Sequence, residues 1–139
     1  MMRVLVTYIG SSETGDVLRA LIKRLEPELA SVFSLRSLGS GVDEVVLVAI
    51  SVAEDPEANA RRLGQGDGFV KYSGKDGKVV SAFQIGVLLA PSLVAGQNLE
   101  AVRELFLSAL LDRLDRGLVR PPADFDIEKF ASLLRQHVT

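Results

Sequence analysis

The chain has 139 residues, 16 basic and 18 acidic side chains, no Cys, no Trp and a single His, His137. The absence of Cys excludes disulfides, thiolate metal sites and a cysteine nucleophile, and one His excludes every multi-histidine metal centre. The near-neutral balance, with basic residues scattered and paired only at Lys23-Arg24 and Arg61-Arg62, gives no basic footprint for nucleic acid.

At this length one domain, residues 1–139, is expected. The opening residues lack the apolar core of a signal peptide. The most apolar later stretch, residues 85–95, is interrupted by Pro91 and falls short of the ~20 residues that span a bilayer. The reading is therefore a cytoplasmic protein without a membrane segment.

Residues 3–9 form a β-branched apolar run closed by Gly10, the pattern of a buried strand. Residues 16–25 follow as a helix. Val17, Leu18, Leu21, Ile22 and Leu25 share one face, Thr14 is the expected N-cap, and Pro27 is the expected stop. Residues 31–37 alternate as a half-exposed strand, and residues 43–52 carry VVLVAISV, the longest strand-like run. The short Gly-Ser-Gly link between them predicts an antiparallel hairpin, since a parallel crossover needs a dozen residues or more.

Asp55-Pro56-Glu57 starts a second helix with a cap, a proline at the first helical position and an acid in the first turn. It ends at Gly64, before a glycine-rich connector. Residues 69–73 and 78–89 are strands joined at Asp76-Gly77, a hairpin signal, with a bend expected at Gly86. Residues 91–97 read as a loop. Asn98 caps a helix over 99–116 whose apolar stripe is wider than one face, so burial on two sides is expected, under the last helix or across a dimer interface. The last helix, 125–137, is expected to start from Asp124 and to leave His137 in solvent at its C-terminus.

This order predicts an α+β fold: a ferredoxin-like β-α-β-β-α-β layer extended by a fifth strand and two C-terminal helices. The alternative is a Rossmann-like α/β three-layer arrangement. Either way, parallel first and third strands bring Gly10, Ser11, Ser12 and Thr14 to one rim with Ser51, Glu54 and Asp55. Two helix N-termini there would offer unpaired N–H groups to a small anionic ligand or nucleotide. The same hydroxyls and acids also serve as helix caps. A Walker loop is excluded, because Asp16 stands where the phosphate-binding Lys must be.

Three short stretches resemble known families. Ser12-Glu13-Thr14-Gly15-Asp16 is similar to the flavodoxin phosphate loop. No aromatic lies within residues 53–59 to stack on a flavin, so FMN is not implied. The opening VLVTYIGSS resembles the start of CRISPR-associated nucleotide-sensing Rossmann-like domains. Residues 38–58 resemble ligand-sensing ferredoxin-like domains of the Lrp/AsnC type. None of these stretches places the chain in a family.

The expectation is a non-catalytic small-ligand-binding or regulatory domain acting as a homodimer. The alternatives are an assembly module that uses the apolar 99–114 helix and a carboxylate- and Mg²⁺-dependent nucleotide or phosphoester enzyme. No catalytic residue, resident metal or cofactor is named by the sequence.

Overall fold

The computed structural model describes residues 3–10, 12–39, 41–52 and 55–138. Strand β1 (Arg3–Gly10) leads into α1 (Ser12–Val32), the short α2 (Leu35–Leu38) and β2 (Glu44–Ser51). Next come α3 (Pro56–Gly66), β3 (Gly68–Ser73), β4 (Val79–Leu88), the short α4 (Pro91–Val94), α5 (Leu99–Asp115) and α6 (Ile127–His137). The strands form one four-stranded sheet in the order β1-β2-β4-β3. β1 and β4 both run parallel to β2, and β3 pairs antiparallel with β4.

The mixed α/β content agrees with expectation, but this strand order does not match the ferredoxin-like arrangement. The difference begins at residues 31–37, expected as a strand and found as the end of α1, a two-residue break and most of α2. Pro27 lies inside α1 instead of ending it. A proline there removes one hydrogen bond. The helix nevertheless continues because Leu18, Leu21, Leu25 and Leu29, all fully buried, form one stripe that extends to Phe33. The alternation of residues 31–37 is thus overridden by packing, and the expected hairpin with residues 43–52 does not form. α1 instead connects β1 to a parallel β2, the connection expected of the alternative three-layer fold.

Two further strand expectations change. Residues 79–88 are not an added outer strand but a central one, parallel to β2, and β1 lies at the edge. β4 also runs through Gly86 as a single strand. Gly86 serves packing: a Cβ there would lie 2.5 Å from Leu63 Cδ1, so its lack of a side chain lets α3 settle on the sheet.

One sheet face carries the main core. Val4, Val6, Val45, Leu47, Phe83, Ile85 and Val87 meet α1, α5 and α6. Phe33 stacks on Phe130 at 4.9 Å, and Phe125 packs against Phe83 and Phe130 at 4.8 and 5.7 Å, which ties α6 to the sheet. Val102, Phe106, Leu107 and Leu110 of α5 are buried in this core. The wide stripe on that helix is thus used within the chain, against α1, β4 and α6. The other face holds a smaller cluster, Val48, Ile50 and Leu63, beneath α3.

The C-terminal helices start as polar caps dictate. Asn98 Oδ1 accepts from Ala101 N at 2.8 Å. Asp126, rather than Asp124, caps α6, accepting from Lys129 N at 3.0 Å. His137 is not solvated. It lies half-buried, its Nε2 3.3 Å from Glu28 Oε2, where Arg24 and Arg103 also bind the carboxylate. Glu28 thereby joins α1, α5 and α6. Burial opposes its charge, but the hydrogen bonds from Arg24, Arg103 and His137 outweigh burial and hold the carboxyl below its ordinary value.

Candidate functional site

Parallel pairing of β1 with β2 places Gly10 directly beside Ser51. The C-terminal ends of both strands therefore share one rim, with α1 starting at Ser12 and α3 at Pro56. A Cβ on Gly10 would lie 3.0 Å from the Ser51 carbonyl oxygen and 3.2 Å from Thr14 Oγ1, so this close approach favours glycine. Thr14 and Ser51 are both buried, and the Ser51 hydroxyl has no hydrogen-bond partner among the described residues. Thr14 lies within the first turn of α1, not at the cap position expected of it.

Asp55 remains exposed and caps α3: its Oδ1 accepts from Glu57 N at 3.0 Å. Ser11 and Glu54 lie outside the described residues, and of Ser12 only the backbone position at the start of α1 is described. The sheet separates the rest of the rim. Ser51 follows the alternation of Val45, Leu47 and Ala49 and so faces the α1 layer, whereas α3 covers the opposite face. Gly10, Thr14 and Ser51 are brought together; Asp55 belongs to the other side.

On that other side lies a cleft of about 280 Å³ between α3 and the C-terminal halves of β1 and β2. Ile9, Val48, Ile50 and Leu63 form its apolar wall, and Thr7, Arg62 and Gln84 are its polar components. The mouth is open because β1 is only partly covered on this face: Ile9 is 56% exposed. Gln84 is oriented by its own bond, Nε2 donating to the Gly66 carbonyl at 2.6 Å. Arg62 makes no ion pair among the described residues, in contrast to Arg19, Arg24, Arg103 and Arg113. A cation beside apolar walls suits a ligand with an anionic group and a nonpolar body.

The sequence reading did not place this cleft. Its signal was the even-numbered series Val46, Val48 and Ile50 beside Thr7 and Ile9, which reads as buried strand until one face is known to lack a full helical layer. Among the described residues no three acidic or histidine side chains gather to hold a metal ion. No described helix is long and apolar enough to cross a membrane. No family model, curated protein or solved structure matches the chain.

Proposed function

We propose that this chain is a non-catalytic, small-ligand-binding regulatory domain acting as a homodimer, with its ligand in the cleft between α3 and the ends of β1 and β2. The observation that carries the reading is the placement of Arg62, which makes no ion pair among the described residues, beside the apolar wall of Ile9, Val48, Ile50 and Leu63. The ligand class is a small organic anion, a nucleotide included. Mostly apolar clefts with a few placed polar groups commonly serve this purpose.

The test is a melting-temperature panel of carboxylates, amino acids and nucleotides, with and without Mg²⁺. A ligand at 100 times its Kd stabilises by about 2.7 kcal/mol, enough to shift the melting point by several degrees. Thr7→Trp, at an exposed position of the wall, should fill the cleft and abolish the shift. Ser11→Ala combined with Glu54→Ala probes the rim instead. A shift lost only in the rim variant would move the site there, and no shift from any compound would sink the binding reading.

The assembly alternative is favoured by a different element from the one expected. With the α5 stripe used in the core, the unpaired apolar edge is β3.

A further inference from the structure

The outer edges of the sheet are treated differently. On β1, the outward N–H of Val6 donates to Glu26 Oε1 at 3.0 Å, so a side chain occupies that edge. β3 has no such cover among the described residues. Every residue from Phe69 to Ser73 is exposed, with Phe69 at 45%, Val70 at 38% and Tyr72 at 42%. It contains no proline, its pairing with β4 has no bulge, and Lys71 is its only charge. These are the devices that normally blunt an edge strand.

The hydrogen-bond phase of β3 can be read from its turn. Gly74 N–H donates to the Lys78 carbonyl at 2.8 Å. Alternation then makes Tyr72 with Val80, Val70 with Ala82, and Gly68 with Gln84 the bonded pairs. Ser81, opposite Lys71, provides a check: it uses its N–H and C=O on Asp43, towards β2. Phe69, Lys71 and Ser73 therefore turn their N–H and C=O groups outward.

We propose that β3 pairs antiparallel with β3 of a second copy about a two-fold axis at Val70, joining two sheets into one of eight strands. This specifies the interface of the homodimer proposed above and rests on that part of the reading. Two central registers satisfy the outward groups. An axis at Lys71 sets its ammonium against the partner's Lys71, and directly opposed like charges are destabilising. An axis at Val70 sets Phe69 against the partner's Lys71, and Lys71 against the partner's Phe69.

The second register is complementary in detail. Lys71 Nζ already lies 5.6 Å from its own Phe69 ring centroid, so this ammonium is placed to contact aromatic faces. Val70 meets the partner's Val70 on the axis. Tyr72 falls opposite the partner's Gly68, a position without a side chain where an aromatic can cover the edge. The single charge on the strand thus selects the register. Isologous pairing also closes the assembly at two copies, since each β3 edge is used once.

The test uses the absence of Cys from the chain. Native mass spectrometry and light scattering should give about twice the 15.0 kDa chain mass. Val70→Cys places two thiols across the axis, with a Cα separation of about 4.5 Å that a disulfide can bridge. Mild oxidation should convert most of that variant to a linked dimer, and Lys71→Cys much less. Val70→Glu should be monomeric at neutral pH with unchanged far-UV circular dichroism. A wild-type chain that is monomeric at every concentration reached overturns both the interface and the homodimer reading. A dimer that survives Val70→Glu, or links better through Lys71→Cys, overturns this interface alone. The ligand panel tests the cleft independently of either outcome.

Discussion

The Asp67 carboxylate joins the open edge of β4 to the last turns of α5 through Arg113. β3 begins at Gly68, opposite Gln84, so beyond that point β4 has no strand on this side. Asp67 Oδ1 takes over, accepting from Gly86 N at 2.6 Å, while Oδ2 pairs with Arg113 Nη2. Both side chains are largely buried, at 6% and 15% exposure. One carboxylate thus continues the sheet ladder and anchors the helix behind it.

Asp67→Ala leaves a buried guanidinium and a backbone N–H without their partner. Breaking a buried pair this way costs about 3–5 kcal/mol. Asp67→Asn keeps an acceptor for Gly86 and should cost less. Urea unfolding of the two variants checks the order, and equal losses would show that the Gly86 bond contributes nothing.

Gly86 should tolerate little, because α3 rests on it through Leu63. Gly86→Val overpacks that contact, at a cost of about 1–3 kcal/mol. Combining it with Leu63→Ala should recover part of the loss, since the two changes share one contact. Additive losses in thermal unfolding would mean that Leu63 is not what the valine meets.

Glu44 lies buried on β2 with Oε1 unpartnered among the described residues. Burial pushes its carboxyl up; Arg3 opposes this and Asp43 adds to it. The folded state therefore holds the proton more tightly than the unfolded chain. Its contribution is full below the ordinary glutamate value, about 4.3, and is lost as pH rises through the raised folded value. Glu44→Gln should accordingly stabilise the protein at neutral pH, with the gain shrinking towards pH 4. Chemical denaturation at several pH values checks this, and a gain independent of pH would refute the charge argument.

Glu28 has the opposite sign. Its lowered carboxyl gives stability that is present above about pH 4.3 and is lost as pH falls through the folded value. Glu28→Ala removes the acceptor shared by Arg24, Arg103 and His137 and should lower stability at neutral pH. Amide exchange should quicken most in α6, whose end His137 fastens to α1. Faster exchange confined to α1 would show that His137 does not hold the last helix.

The local elements were largely legible in the sequence. The β1 run, the Asp55-Pro56 and Asn98 helix starts and the Asp76-Gly77 hairpin all follow from short-range rules. Those rules act within a few residues: caps satisfy nearby N–H groups, and turn residues set the dihedrals of their own turn.

Tertiary structure decided the rest, because burial outweighs local preference wherever the two compete. Residues 31–37 alternate like a strand, yet Leu29 and Phe33 reach the core at the end of α1, and Leu35 and Leu38 reach it from α2. That one change removed a strand, made α1 the crossover to a parallel β2 and placed β4 at the centre of the sheet. Side-chain alternation on β2 and the docking of α3 on the other face separated the expected rim, leaving Ser51 under α1 and Asp55 at the start of α3. The opening counts retain their force, for no Cys and one His still exclude thiol and multi-histidine chemistry. That His137 meets Glu28, 109 positions away, could be decided only by the packing of α6 against α1 and α5.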